Sequence, residues 1–180
     1  FWWSELTHPY HAFTEAAYQV ELFSPAGGAC VADAMSDPND ASGYSKTDLI
    51  SQGFIHTPEL RGLVEATKKV SDIDVAAFDA IVVAGGQAPM FTFEAATDLH
   101  ARFAAFFEAG KVAAALCHGC AILAFAQLRD APRIDVEALY RETRASERNG
   151  DRKADIAKSD HRDPAIMRHV SSLRFEGALL

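Results

Sequence analysis

A short apolar run near the middle of the chain ends at a cysteine and leads directly into helix-forming residues. Residues 112–116 are continuously apolar, which is typical of a strand buried on both faces of a parallel sheet. Residues 121–127 favour a helix, and Gly119 allows the strand and the helix to pack closely where they meet. The sequence therefore predicts a tight strand-to-helix junction, with Cys117 lifted above the edge of a sheet.

The segments before this junction alternate between helical and strand-like patterns. Helices are predicted to start at Thr7-His8-Pro9 and at Thr57-Pro58 and to span residues 95–109, and strands are predicted over residues 20–23 and 78–86. This order is typical of an α/β fold with a doubly wound, mostly parallel sheet, in which sites lie at the carboxyl ends of the strands. A long polar loop is predicted over residues 32–54.

Composition limits the classes of partner. The 180 residues are 49% hydrophobic, which is enough for one domain with a substantial core. A net charge of -8 argues against nucleic acid or an anionic membrane surface as the main partner, and no apolar run is long enough to span a bilayer. Three cysteines without a disulfide framework favour a reducing compartment, so we expect the protein to be cytoplasmic.

Charge density divides the chain at about residue 128. Residues 1–128 contain 6 Lys and Arg and 15 Asp and Glu, whereas the much shorter segment 129–180 contains 11 and 10. We predict an α/β domain over residues 1–128 and a charged C-terminal segment over residues 129–180, helical or partly disordered. No strand is predicted in that segment with any definite position.

Cys117 at the junction is a candidate nucleophile. Backbone N–H groups at the start of a helix favour the negatively charged thiolate, so the junction is expected to lower the pKa of the thiol. His118 would point away from the thiol and act as an acid or base on the substrate. The alternatives are a small buried cysteine at a packed turn and a histidine satisfied near the surface.

Two further features are predicted to share a crevice with Cys117. Gly85 and Gly86 end the preceding strand, and their N–H groups, together with that of His118, could hold an oxyanion, although a tight turn needs the same glycines. Glu5 precedes the first predicted helix, where its carboxylate would overhang the crevice. From position alone, however, a glutamate there is more often a partner of the helix dipole.

The sequence Cys117-His118-Gly119-Cys120 is also a C-x-x-C motif, which thioredoxin-like redox proteins carry where a strand meets a helix. This redox alternative stays open. Zinc is disfavoured because no second cysteine pair is present. His8, His11 and Glu15 share one helical face, but an exposed polar face explains them better than a metal site. We expect no metal and no cofactor.

Several segments together resemble the DJ-1/PfpI superfamily, whose fold is similar to that of class I glutamine amidotransferases, and within it the Hsp31-type, glyoxalase III-like group. They are Phe1-Trp2-Trp3-Ser4-Glu5-Leu6 with His8-Pro9-Tyr10, Val20-Glu21-Leu22-Phe23-Ser24-Pro25, Phe78-Asp79-Ala80-Ile81-Val82-Val83-Ala84-Gly85-Gly86, and Ala115-Leu116-Cys117-His118-Gly119. They follow the family order over about residues 1–127. Each is unspecific alone, but jointly they are specific.

The resemblance implies a flavodoxin-like, three-layer α/β/α sandwich with Cys117 on a nucleophile elbow. Glu5 matches the family glutamate that contacts the cysteine, and His118 matches the histidine that follows it. Gly86 and the backbone of His118 match the donors to the oxyanion. The family's first strand would precede Phe1, so the chain is expected to be truncated at its N-terminus and atypical at its C-terminus.

The resemblance also implies an activity. In glyoxalase III-like members the cysteine thiolate adds to the aldehyde of methylglyoxal as a hemithioacetal, and proton transfers followed by hydrolysis give lactate without glutathione or metal. A small aldehyde substrate is therefore expected, with Cys117, Glu5 and His118 as catalytic residues and Gly85 and Gly86 binding the substrate and its oxyanion. Other members are described as protein deglycases, peptidases or holdase chaperones, so these functions remain alternatives. A homodimer is also left open.

Overall fold

A computed structural model describes residues 1–128 and residues 178–179. Most of the predicted charged segment over residues 129–180 therefore lies outside the described residues. The helices are α1 (Trp3–Glu15), α2 (Leu49–His56), α3 (Pro58–Glu65), α4 (Pro89–Thr92), α5 (Thr97–Glu108) and α6 (Ile122–Phe125). Within the described ranges, no helix combines the length and the apolar character that crossing a membrane requires.

The strands form two parallel sheets. They are β1 (Val20–Glu21), β2 (Phe23–Ser24), β3 (Lys68–Lys69), β4 (Ala80–Val83), β5 (Val112–Ala115) and β6 (Ala178–Leu179). The larger sheet has the order β1-β6-β4-β5, and β2 pairs with β3 in the smaller one. The last residues of the chain thus supply a two-residue strand between β1 and β4, where the sequence analysis placed none.

Most of the predicted elements before Cys117 are present. The helices predicted from Thr57-Pro58 and over residues 95–109 are confirmed as α3 and α5, and the strand within residues 78–86 is confirmed as β4. The predicted strand over residues 20–23 is instead divided between β1 and β2, which belong to different sheets.

Helix α1 begins earlier than predicted. It starts at Trp3, so Pro9 lies inside the helix instead of in its first turn. Proline has no N–H to donate to the preceding turn, which destabilises an interior position. Trp3 and Leu6 are both buried in the core. Burial of this apolar surface explains why the first turn forms despite the proline.

The predicted polar loop over residues 32–54 ends in a helix instead of remaining irregular. Asp48 caps α2 with its side chain, and Phe54 within α2 packs against the ring of Trp3 in α1. The local signal for α2 is weak because the helix is short and contains Gly53. Tertiary burial of Phe54 therefore decides that this segment is helical.

Strand β4 is the buried centre of the larger sheet, with all four residues buried. Its side chains alternate between two hydrophobic clusters on opposite faces. The α5 cluster contains Val70, Ile73, Phe78, Ile81, Val83, Phe93, Ala96, Leu99, Phe103, Phe106, Ile122 and Ala126; the α1 cluster contains Trp3, Leu6, Leu22, Phe54, Ile55, Val64 and Val82. Helices thus cover both faces of the sheet, which gives three layers.

Strand β5 is less buried than the sequence analysis predicted. Val112 is 40% exposed, and residues 113–115 are only half-buried. Among the described residues β5 pairs with β4 alone, so it lies at the edge of that part of the sheet. A continuous apolar run identified a strand correctly, but it could not distinguish the edge of the sheet from its centre.

Helix α5 presents most of its predicted apolar face to the core. Leu99, Phe103 and Phe106 are buried. Phe107, which was also predicted to face inward, is 37% exposed. Successive side chains of a helix point about 100° apart, so Phe106 and Phe107 cannot both face the same layer. Gly110 follows with a φ of 69°, the left-handed conformation expected after a helix C-terminus.

A cavity of about 380 Å³ lies between β4 and the segment that contains β1 and β2. It is lined by Val82 of the α1 cluster and by Val83 of the α5 cluster, whose side chains point to opposite faces of β4. Among the described residues, β6 pairs with only the first two residues of β4, and the cavity is lined by the last three. Cys117 does not line this cavity, but Gly85 does, so the cavity borders the loop that carries the predicted glycines.

Candidate active site

The backbone turns sharply at Cys117. Leu116 is extended, with φ of -114° and ψ of 141°, and a 3-10 turn over Cys117–Ala121 then leads into α6. Cys117 itself has φ of 50°, a left-handed conformation that is uncommon for a residue with a β-carbon. Its side chain is exposed. The cysteine therefore stands at a strained strand-to-helix junction, and strain of this kind is concentrated at functional sites.

Two glycines allow the elements of the site to approach one another. A β-carbon on Gly119 would lie 2.6 Å from the carbonyl oxygen of Val83, and one on Gly85 would lie 2.6 Å from Oε2 of Glu5. Neither distance is compatible with van der Waals contact. Gly119 thus permits the close packing predicted at the junction, and Gly85 permits the approach of the Glu5 carboxylate.

Glu5 reaches the crevice from the first turn of α1. Its Oε2 accepts a hydrogen bond from the Gly85 N–H at 2.8 Å, and its carboxylate also interacts with the Cys117 thiol. From the sequence, Glu5 is predicted to precede the first helix, but the residue lies within α1 because that helix begins at Trp3. A first-turn position also places the carboxylate favourably in the helix dipole, so both predicted interpretations of Glu5 are compatible.

Two backbone N–H groups act on the sulfur. Those of Gly86 and His118 both lower the pKa of the Cys117 thiol. Gly86 has a φ of 91°, and a β-carbon there would lie 2.7 Å from the backbone nitrogen of Trp2. Only glycine fits this position without strain. The structure therefore brings the predicted glycines, Glu5 and the His118 backbone together around Cys117.

The pKa of the Cys117 thiol is raised, which contradicts the prediction that the junction lowers it. Although the side chain is exposed in surface area, partial loss of water around the sulfur is the largest cause, and the hydrogen bond and negative charge of Glu5 raise the pKa further. The N–H groups of His118 and Gly86 lower the pKa but do not outweigh these effects. The resting sulfur is therefore a thiol beside a carboxylate.

The ring of His118 is held by the loop that follows β4. Its Nδ1 lies 2.9 Å from the carbonyl oxygen of Gly86. Because a carbonyl oxygen can only accept a hydrogen bond, Nδ1 is the donor, and Nε2 of the neutral ring is left as an acceptor. This is the protonation state that a base acting through Nε2 requires.

The histidines of α1 do not form the metal cluster that their spacing allowed. His8 Nε2 lies 2.9 Å from Oδ1 of Asp48, the N-cap residue of α2. His8 therefore does not form a metal-binding cluster with His11 and Glu15. In the part of the chain that the structure describes, no group of three or more His, Cys, Asp or Glu side chains is arranged to hold a metal ion. The pairing with Asp48 gives His8 a structural partner.

The second cysteine of the C-x-x-C motif faces back toward β5. Cys120 Sγ donates to the carbonyl oxygen of Ala115 at 3.5 Å. Cys117 and Cys120 are both free thiols. The redox alternative therefore stays a prediction.

Asp33 is a residue near the site that the sequence analysis did not identify. It lies in the predicted polar loop, and its Oδ2 accepts a hydrogen bond from the Gln87 N–H at 2.8 Å. Gln87 follows Gly86, so the carboxylate lies beside the loop that faces Cys117. The two residues are 54 positions apart, and no local pattern links them.

Comparison with known proteins identifies the family to which the chain belongs. The DJ-1/PfpI family matches residues 3–136. The chain belongs to the DJ-1/PfpI family. The family match and a solved structure of similar fold together confirm the predicted α/β fold class. That structure, the Rapid Encystment Protein 24 KDa of Francisella tularensis, has a TM-score of 0.58 and 26% identity, and the likeness covers 68% of this chain and 51% of that one.

Curated relatives within the DJ-1/PfpI family are named glyoxalases. The glutathione-independent glyoxalase hsp3101 of Schizosaccharomyces pombe is 32% identical over 122 residues, which cover 68% of this chain and 48% of that protein. Glyoxalase 3 of Candida albicans is 29% identical over 126 residues, which cover 70% of this chain and 51% of that protein. The chain thus spans about half the length of the curated relatives that it matches.

Proposed function

We propose that this DJ-1/PfpI protein is a glutathione-independent, glyoxalase III-like enzyme that converts methylglyoxal or related reactive aldehydes into hydroxy acids. The observation that carries the proposal is the contact between the Glu5 carboxylate and the Cys117 thiol, on a strained turn lined by the N–H groups of Gly86 and His118. The names of the relatives support the same chemistry. The net reaction adds one water to methylglyoxal and gives lactate.

In the first step the sulfur adds to the aldehyde. Glu5 takes the proton of the Cys117 thiol as the sulfur forms a bond to the aldehyde carbon, and the electron pair of the carbonyl π bond moves to its oxygen. The raised pKa of the thiol suits this step, because the proton leaves only when an acceptor beside it takes it. The N–H groups of Gly86 and His118 stabilise the new oxyanion, which then gains a proton as the hemithioacetal.

In the second step two protons move between neighbouring groups. A base takes the proton of the hemithioacetal C–H and returns it to the adjacent ketone carbon, while the hemithioacetal hydroxyl proton passes to the ketone oxygen, so the former aldehyde carbon becomes a thioester and the ketone becomes an alcohol. Glu5 and His118 serve as the acid and base. Water then cleaves the carbon–sulfur bond, which releases lactate and restores the thiol. The internal redox exchange balances without any external oxidant or reductant.

The test is lactate formation from methylglyoxal in the absence of glutathione. Removing the nucleophile in Cys117→Ala is expected to lower kcat/KM by at least about 1,000-fold. Cys120→Ser serves as the matched control, because it changes the neighbouring thiol and is expected to retain the wild-type rate. Equal rates for the wild type and Cys117→Ala would show that the sulfur is not the nucleophile.

The other functional predictions stay open beside this mechanism. Protein deglycase, peptidase and holdase activities, and redox exchange through Cys117 and Cys120, stay alternatives. A small aldehyde substrate is part of the proposal, and a homodimer and a cytoplasmic location stay predictions.

A further inference from the structure

Asp33 and His118 bind opposite sides of a single peptide group. The amide that joins Gly86 to Gln87 presents its N–H to Asp33 Oδ2 at 2.8 Å and its carbonyl oxygen to His118 Nδ1 at 2.9 Å. Because a peptide group is planar and conjugated, the two hydrogen bonds act on the same rigid unit. A carboxylate and an imidazole are thereby connected through one amide.

The Asp33 side chain does not cap the turn that follows it, although its position would allow this. Asp33 stands at the N-cap of the 3-10 turn Ala34–Ser36, where an aspartate commonly accepts an N–H of its own turn, yet its side chain makes no capping bond. Its backbone is held instead, because its N–H donates to the Phe1 carbonyl at 2.8 Å and its carbonyl accepts from Ser36 Oγ at 2.6 Å. The carboxylate is thus free to reach the loop after β4.

The same carboxylate also packs against the residue that faces the sulfur. A β-carbon on Gly86 would lie 2.5 Å from Asp33 Oδ2. The Gly86 N–H is one of the two backbone N–H groups that act on the Cys117 sulfur. One side chain therefore supports both the donor to the sulfur and the acceptor for the His118 ring.

We propose that Asp33 is a positioning residue that orients His118 through the peptide between Gly86 and Gln87. The carboxylate polarises this amide, which makes the Gly86 carbonyl a stronger acceptor and keeps the His118 proton on Nδ1. Nε2 is then left to exchange protons with a substrate bound to Cys117. The inference deepens the proposed function and rests on it only for the activity measurement below.

The first test reads the ring protons of His118 directly. In protein labelled with ¹⁵N-histidine, at about pH 8.5 where an ordinary histidine is neutral, ¹H–¹⁵N correlation distinguishes the Nδ1–H form from the Nε2–H form. His118→Gln identifies the signal. The wild type is expected to show the Nδ1–H form, and Asp33→Ala is expected to show a mixture that includes Nε2–H. A wild-type ring in the Nε2–H form, or an unchanged Nδ1–H form in Asp33→Ala, would overturn the proposal.

A gentler variant keeps the test decisive if Asp33→Ala does not fold. In Asp33→Asn the amide oxygen still accepts from the Gln87 N–H but carries no charge. The Gln87 amide proton and the His118 Nδ1 proton are then both expected to shift upfield, since both hydrogen bonds weaken together. Asp40→Asn is the matched control, because it removes the same charge from the same loop, where the Asp40 carboxylate accepts from the Ser42 N–H within its own turn. A Gln87 shift without a His118 shift would reduce Asp33 to a structural contact and refute the proposal.

The second readout is turnover of methylglyoxal. Partners that orient metal-bound histidines are commonly worth about 10–100-fold in metal affinity or activity, and by analogy Asp33→Ala is expected to lower kcat by about that factor with little change in KM. Asp33→Asn is expected to fall between Asp33→Ala and the wild type. If the wild type forms no lactate, the proposed function fails while the ring signals still decide the role of Asp33. If turnover is present and the ring signals do not respond, only the role of Asp33 fails.

Discussion

At the scale of single residues, the site depends on opposing influences on one sulfur. Loss of water and the neighbouring Glu5 raise the pKa of Cys117, whereas two backbone N–H groups lower it. A carboxylate in contact with the thiol therefore keeps the proton on the sulfur at rest and can also receive it during attack. The reactivity of the free thiol and the catalytic rate should then respond in opposite directions to the loss of the Glu5 charge.

Glu5→Gln tests this opposition. Since the negative charge raises the pKa of Cys117, its removal should lower that pKa, so that alkylation by iodoacetamide becomes faster at neutral pH and its midpoint moves to lower pH. Lactate formation should fall by about 100-fold or more because the proton acceptor is lost. The measurements are the alkylation rate against pH and kcat/KM for methylglyoxal.

Glu15→Gln provides the control for that experiment, since it removes the same charge from the exposed end of α1. It should change neither measurement. A Glu5→Gln thiol that alkylates more slowly than the wild type would contradict the assigned effect of the carboxylate.

At the scale of secondary-structure elements, the site depends on how closely α1, β4 and the turn after β5 approach one another. Gly85 faces Glu5, and Gly119 faces the carbonyl oxygens at the end of β4. These glycines differ from those in solvent-facing helices, where absence of a side chain only destabilises the helix. Substitution by alanine should therefore have opposite effects in the two environments.

Gly119→Ala is expected to lower the free energy of unfolding by about 1–3 kcal/mol, because its β-carbon would overlap the Val83 carbonyl oxygen. Gly53→Ala in α2 has open space around the new methyl group and is expected to raise the free energy of unfolding by about 0.5–1 kcal/mol. Urea denaturation of both variants measures these changes. Equal effects of the same sign would show that close packing at the junction is not what requires glycine there.

At the scale of the whole molecule, β4 separates two hydrophobic clusters. Helices α5 and α6 cover one face of the described sheet, and α1, α2 and α3 contribute to the cluster on the other. In the described part of the chain, β6 pairs with only the first two residues of β4, and the cavity beside β4 is lined by residues of both clusters. The role of the charged segment over residues 129–180 stays a prediction, apart from the pairing of its residues 178–179 in the larger sheet.

Paired core substitutions test whether the clusters are energetically independent. Ile122→Val in the α5 cluster and Ile55→Val in the α1 cluster each remove one buried methylene group and should each lower the free energy of unfolding by about 1 kcal/mol. Because β4 lies between the clusters, the double variant should show the sum of the two losses to within about 0.5 kcal/mol. Urea denaturation of the two single variants and the double variant measures the difference. A larger coupling energy would mean that a change in packing on one face of β4 alters the packing on the other, with the cavity beside β4 as the connection.

Sequence patterns alone are enough to predict the α/β class, most helix and strand positions before Cys117, and the location of that cysteine at a junction. These features depend on local signals: the continuous apolar run over residues 112–116, the helical spacing of apolar residues in α5, and the glycines where a strand meets the next segment of the chain. The resemblance carried by the same segments also pointed to Glu5, whose position alone favoured a helix-dipole role.

Four features follow from the folded chain and not from any local pattern: the direction of the thiol pKa, the edge position of β5, the early start of α1 and the contact of Asp33 with the Gln87 N–H. Each of these depends on atoms contributed by residues far apart in the sequence. The helical turn at Cys117 favours the thiolate locally, but loss of water and a carboxylate from α1 reverse that preference. The physical reason is that desolvation and electrostatic interaction depend on distance in space, which a local sequence pattern does not contain.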